Sequence, residues 1–152
     1  LASLANQATN WLMAGHIPQR MGSRHPNIAP YGDPFLCADG KPIVLAIGTE
    51  RQFQALCEVL DLEEWKTSPL FGSNADRVKH RQELNEGLAT AISRIKRDVF
   101  LQLCLAKDIP AGSIKDMQEV FESPLAKDMI MEWTLPDGSP ARSIQSVAFN
   151  LY

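Results

Sequence analysis

Residues 35–52 read Phe35-Leu36-Cys37-Ala38-Asp39-Gly40-Lys41-Pro42-Ile43-Val44-Leu45-Ala46-Ile47-Gly48-Thr49-Glu50-Arg51-Gln52, and they decide the fold class. Asp39-Gly40 is a strong hairpin signal, because these residue types tolerate the positive φ of a tight reversal. It predicts two antiparallel strands, Phe35–Ala38 and Pro42–Ile47. The second is almost wholly apolar, which predicts cover on both of its faces. Gly48 ends it. Thr49 and Gln52 then fit a capping box, in which the Thr hydroxyl and the Gln side chain satisfy the first exposed N–H groups of a helix. That helix carries Phe53, Leu56, Cys57 and Leu60 on one face.

Upstream lies Arg20-Met21-Gly22-Ser23-Arg24-His25-Pro26-Asn27-Ile28-Ala29-Pro30-Tyr31. Pro26 acts on His25 and Pro30 on Ala29, pushing each toward extended geometry. The stretch is too stiff for a linker and too irregular for a helix, so it predicts a shaped loop. Before it, Leu1, Leu4, Ala5, Ala8, Trp11 and Leu12 recur at helical spacing over residues 1–14. Gly15 suits the end of that helix and Pro18 forbids its continuation. A helix opening at Leu1 suggests the edge of a longer protein.

Downstream, Asp61 to Gly72 is rich in turn residues, with a short helical piece near Glu63–Lys66. One long helix is predicted from about Asn74 to Ile95, with Leu84, Leu88, Ala91, Ile92 and Ile95 inward, and another from Asp98 to Ala106. Ala111–Ile114 reads as a third short strand. Asp116 with Glu119, and Ser123-Pro124, mark two further helix starts. Met129–Leu135 reads as a strand, Pro136-Asp137-Gly138 as a turn, and the remainder as an extended exit. The class is α+β: a small antiparallel sheet of about three strands packed with several helices.

The chain has 152 residues, 45% hydrophobic and 22% charged, with a net charge of -3. That size supports a buried core. The acidic balance argues against nucleic-acid or anionic-membrane partners, and no apolar run approaches transmembrane length. Cys37, Cys57 and Cys104 are isolated, an odd set without C-x-x-C, which fits reduced cytoplasmic thiols. His16, His25 and His80 are too scattered for a metal set. Phosphate-loop, dinucleotide, zinc-protease and serine-hydrolase motifs are absent.

Two places could carry chemistry. Arg24 and His25 open the proline-bracketed loop. They read either as contacts to a ligand phosphate or carbonyl, or as an ion pair and a turn cap. Gly48-Thr49-Glu50 stands where a buried strand meets a helix N-terminus, which suits anions or a carbonyl oxygen. Glu50 reads either as a working carboxylate or as an offset to the helix dipole. Arg77, Lys79, His80 and Arg81 read as a solvated helix face. Trp11, Trp65, Phe71 and Trp133 read as ordinary packing ahead of an interface.

The run from Leu4 to Tyr31 closely resembles the middle of the family III CoA-transferases, the carnitine dehydratase and bile-acid-inducible protein group. The likeness continues in order through Asp39-Gly40, Gly48, Gln52-Phe53, Leu56-Cys57, Asn74, Arg77-Val78, Arg81, Leu84, Ile109-Pro110-Ala111-Gly112 and Asp137-Gly138. The resemblance implies a division into a helix and linker from a large domain (1–21), an inserted small α+β domain (22–135) and a returning linker (136–152). It implies acyl-CoA and carboxylate substrates, coenzyme A as substrate and product, no metal, and an interlocked homodimer when full length. The active site would lie between this small domain and a large one.

The resemblance also implies that the nucleophilic Asp lies upstream of this chain, so no catalytic residue is assigned within it. The substrate loop would be Arg24, His25, Pro26, Asn27, Ile28 and Ala29. In formyl-CoA transferases that loop is glycine-rich; here the proline-bracketed residues keep its position and not its mobility. Gly48, Thr49 and Glu50 resemble the part that reaches toward CoA. The same fold hosts α-methylacyl-CoA racemases, whose Glu before Pro-Gln-Phe is partly matched by Glu50 before Arg51-Gln52-Phe53. A stand-alone binding module is the reading from another class.

Overall fold

The Asp39-Gly40 reversal joins β1 (Tyr31–Leu36) to β2 (Pro42–Ala46), and β3 (Ala111–Ser113) pairs with the other edge of β2, all antiparallel. Gly40 takes φ +72° in the turn, and its N–H donates to the Cys37 carbonyl at 2.9 Å. The computed structural model describes residues 5–17 and 19–144. The chain divides into two compact units, Leu1–Ser113 and Ile114–Tyr152. The class is α+β, as the sequence predicts.

The first strand begins four residues earlier than predicted, at Tyr31, and runs through Gly32 and Pro34. Both residues normally argue against a strand. They fit here because β1 is an edge strand, where a missing N–H breaks no ladder. The register also slips between Tyr31↔Ala46 and Pro34↔Val44, so β1 holds one extra residue. That bulge breaks the strict alternation of faces. Tyr31 stays exposed while Asp33 and Phe35 both turn inward. In β2, Ile43 and Leu45 are buried, as is Ile47 just past its end, whereas Val44 and Ala46 are only half-covered. One face of the strand is sealed and the other partly open, a correction to the expected double cover.

Thr49 caps α2 (Glu50–Val59) with both halves of the capping box formed. Phe53, Leu56, Cys57 and Leu60 are all buried, as their spacing predicts. The 3-10 turn Glu63–Lys66 follows. Its Trp65 packs on Phe71, ring centroids 4.5 Å apart, and Gly87 leaves space for the same indole.

The long helix predicted over 74–95 is two helices, α3 (Asn74–Lys79) and α4 (Arg81–Ile92). His80 separates them at φ -106° and ψ 35°. No local breaker sits there. The interruption is tertiary: Arg77 and Arg81, on either side of it, grip different backbone carbonyls of the same loop. Leu84, Leu88 and Ile92 of α4 and Phe100 and Cys104 of α5 (Arg97–Ala106) complete the core over the sheet. All three cysteines are free and buried.

At the amino end, α1 (Ala5–Ala14) finishes where the Gly15 N–H meets the Trp11 carbonyl at 2.8 Å. The expected apolar face includes Leu1 and Leu4, which lie outside the described residues. Trp11 and Leu12 are exposed. In the second unit, Asp116 caps α6 (Met117–Phe121) by accepting the Glu119 N–H at 2.8 Å. A 3-10 segment, Pro124–Met129, leads to β4 (Ile130–Thr134). The segment read as an extended exit holds β5 (Pro140–Ile144), which pairs antiparallel along the whole of β4. The rest of that exit, 145–152, lies outside the described residues. No helix among the described residues is long and apolar enough to cross a membrane.

Candidate functional site

The proline-bracketed loop is fastened by two polar clusters drawn from β1, α2, α3 and α4. Asn74, Arg77 and Arg81 recur at near-helical spacing on the side of α3 and α4 that meets the loop. Asn74 Oδ1 accepts the Ala29 N–H at 3.1 Å, and its Nδ2 donates to the Asn27 carbonyl at 2.8 Å. Arg77 Nε donates to the Ala29 carbonyl at 2.9 Å. Arg81 Nη2 donates to the carbonyls of His25 at 2.7 Å and Ile28 at 3.0 Å. Ala29 and Pro30 are fully buried. A buried irregular segment must satisfy its backbone polar groups with something, and here side chains replace a strand partner.

Arg77 is the centre of the first cluster. It is 2% exposed, and it pairs in bidentate fashion with Glu50, Nη1 to Oε2 at 2.8 Å and Nη2 to Oε1 at 3.0 Å. Its Nη1 also donates to the Phe71 carbonyl at 2.9 Å, and the guanidinium lies 4.2 Å from the Phe53 ring centroid. The Arg77 hydrogen bonds hold the Glu50 carboxyl below its ordinary range; partial burial opposes them, and the Asn74 N–H adds to them.

Asp33 is the centre of the second. It is 1% exposed and takes Arg24 Nε at 3.0 Å, Arg81 Nη1 at 3.3 Å and Asn85 Nδ2 at 2.8 Å. A buried carboxylate survives only when so paired. The bulge in β1 is what aims it inward.

The loop residues proposed as substrate contacts therefore serve the loop first. Arg24 forms the ion pair with Asp33. His25 caps a turn, its Nδ1 accepting the Asn27 N–H at 3.1 Å, and it meets Tyr31 edge-on. Pro26 and Ile28 are half-buried and Asn27 is exposed. At the α2 N-terminus, the Gly48 and Thr49 N–H groups both donate to Gln52 Oε1, at 2.9 and 3.1 Å. Those two donors are turned to the cap. Glu50, the third residue of that set, belongs to the Arg77 cluster, so the two sequence-predicted places meet at the same loop, which Arg77 holds at the Ala29 carbonyl and Arg81, beside Arg24 on Asp33, holds at His25 and Ile28.

Arg77 and Arg81 are a correction: they are 2% and 13% exposed, not a solvated face. The sequence reading assigns Asp33 no functional position. One sequence signal pointed there: an acidic residue between Gly32 and Pro34, entering a β-forming stretch, with arginines on a nearby apolar helix. Among the described residues, no group of three His, Cys, Asp or Glu could hold a metal.

The Glu50–Arg77 pair makes stability depend on acidity. Glu50 has its folded-state pKa depressed, so the pair's contribution is complete above the ordinary value of 4.5. It is lost as pH falls through the lower, folded value. Urea midpoints of the 152-residue chain and of Glu50→Gln, taken from pH 6 down to pH 3, are expected to converge as acid is added. A constant gap between them would show that Glu50 ionisation does not support the fold. Half of the Glu50 side chain meets solvent, which keeps the effect small.

An open cleft of about 470 Å³ lies beside the second cluster, lined by Arg24, Arg81, Gln82, Asn85 and Glu86.

The sequence pattern of CoA-transferase family III matches residues 1–151. The succinate–glutarate CoA-transferase of Agrobacterium fabrum is 35% identical over 81% of this chain and 30% of its own length. The acetyl-CoA:oxalate CoA-transferase of Acetobacter aceti is 33% identical over 87% of this chain and 34% of its own length. The crystal structure of a CaiB/BaiF family protein from Brucella suis superposes with a TM-score of 0.76 at 35% identity, covering 97% of this chain and 38% of that one. The chain thus spans about a third of the length of the curated relatives it matches. With that pattern running nearly from end to end, the chain belongs to CoA-transferase family III.

Proposed function

We propose that this chain forms the inserted small domain of a CoA-transferase, and that the whole protein moves coenzyme A from an acyl-CoA thioester to a carboxylic acid. The family match over residues 1–151 carries this reading. The names of the Agrobacterium and Acetobacter relatives, CoA-transferases of succinate, glutarate and oxalate, support it.

In the proposed reaction an Asp outside these 152 residues attacks the thioester carbonyl and expels the CoA thiolate, giving a mixed anhydride. The thiolate attacks the aspartyl carbonyl and releases the donor acid. The acceptor carboxylate then attacks the aspartyl-CoA thioester, and the thiolate returns to the new acyl carbonyl, restoring the Asp. Splitting the exchange this way replaces one hard step by easier ones. The arginine-paired carboxylates here suit support, not attack: buried Asp33 faces two arginines and half-exposed Glu50 faces one. Glu50 also makes a poor α-proton base, because its pairing with Arg77 lowers its basicity. A cytoplasmic, interlocked homodimer is part of the proposal.

The test is the whole protein supplied with succinyl-CoA and glutarate. Glutaryl-CoA is expected by chromatography. Solvent deuterium at the α-carbon of an acyl-CoA, without exchange of the acid, would replace transfer by racemisation. The 152-residue chain alone is expected to form no covalent adduct with an acyl-CoA by mass spectrometry. A stoichiometric adduct on one of its own aspartates would overturn the placement of the nucleophile.

A further inference from the structure

We infer that the cleft beside the loop seats the second, non-reacting carboxylate of a dicarboxylic acyl acceptor, with Arg24 as its anchor; this rests on the transfer reading above. The two arginines of the cleft are not equivalent. Arg81 is 13% exposed, and its Nη1 and Nη2 already serve Asp33 and the carbonyls of His25 and Ile28. Arg24 is half-exposed, and its Nε lies 3.0 Å from Asp33 Oδ1. Neither of its Nη groups makes a hydrogen bond to a described residue. Asp33 is 1% exposed and is fixed from three further sides, by Arg81, Asn85 and the Tyr31 N–H. The Arg24 guanidinium is thus held at one edge and open at the others. A guanidinium fixed in this way can receive a planar carboxylate with little ordering cost.

The charges around the cleft select the kind of anion. Arg24 and Arg81 are balanced by Asp33 beneath and by Glu86 on the lining, where Gln82 Nε2 donates to Glu86 Oε1 at 3.0 Å. A near-neutral surround suits a single negative charge and resists a phosphate dianion. A carboxylate paired with Arg24 is neutralised and held, so it cannot also be the one that attacks the enzyme-bound thioester. The acid that uses this cleft must carry another.

The whole protein, with one acyl-CoA donor, is assayed with glutarate and with pentanoate, which has the same chain length and lacks the second carboxylate. Wild type is expected to prefer glutarate in kcat/KM by roughly 10- to 100-fold, the worth of a charged hydrogen-bonded pair. Arg24→Gln is expected to erase that preference by raising the KM for glutarate, with the KM for acyl-CoA little changed. Glu86→Gln is expected to lower the KM for glutarate several-fold, which a merely structural role for Arg24 does not predict. Equal losses for both acids in Arg24→Gln, no preference in wild type, or a rise confined to the KM for acyl-CoA would each overturn the inference. The last of these would assign the anion to CoA itself. If the whole protein transfers no CoA, the transfer reading fails and the inference is decided by glutarate titration followed by NMR. Saturable binding lost in Arg24→Gln sustains it; binding unchanged in the variant, or absent from wild type, ends it.

Discussion

Arg77→Ala is expected to destabilise the 152-residue chain by roughly 3 kcal/mol, lowering the urea midpoint with little change in the slope of the transition. The size follows from what the side chain leaves behind. Arg77 is 2% exposed and donates to the carbonyls of Ala29 and Phe71 as well as to both oxygens of Glu50. Each buried carbonyl left without its donor costs about 1–3 kcal/mol. Glu50 is half-exposed and regains water, which places the total toward the lower end. Arg77→Lys keeps the charge but not the fork, and an ammonium cannot reach four acceptor atoms set around a plane, so it recovers only part of the loss. A midpoint unchanged within error in Arg77→Ala would show that the loop is held by other means.

Gly32→Ala is expected to cost about as much, for a different reason. Gly32 has φ +77°, which alone costs an L residue roughly 1–2 kcal/mol. An added Cβ would also fall on the backbone carbonyl oxygen of Ser23, whose own hydroxyl donates to the Gly32 carbonyl at 2.6 Å. Backbone cannot swing aside as a flexible side-chain tip can, so overpacking adds roughly 1–3 kcal/mol more. The change sits one residue from Asp33. It should therefore also loosen the Arg24 and Arg81 pairs, read as exchange broadening of their Nε–H signals by NMR. A stable variant with sharp, unshifted signals would show that the bulge tolerates a side chain.

Local features of the fold were the legible ones. The Asp39-Gly40 turn, the Thr49/Gln52 capping box and the apolar face of α2 are each written within a few residues, and each appears where the sequence puts it. The extra length of β1 was hidden because Gly32 and Pro34 are turn formers; only the edge position and the bulge reconcile them with a strand. The break at His80 and the role of Asp33 were hidden for a deeper reason. Arg77 meets Ala29 across 48 positions, and Arg81 meets His25 across 56. No periodicity or motif encodes a contact at that range. The loop's stiffness was readable from its prolines, while what fastens it was not. Likewise, the sequence offered two meanings for Arg24 and His25, and the structure supplies the ion pair and the turn cap without using the open edge of Arg24.

Cys57 and Cys104 are buried in the core, and burial pushes both thiols up to about 12. Cys37 is raised as well, first by burial and then by Asp39. Alkylation requires the thiolate, so at neutral pH an intact molecule is a closed book to iodoacetamide, and each adduct records a moment of opening. The native chain therefore carries its own dosimeter. With it, a variant that has merely lost its grip on a small acid can be told from one that has come apart.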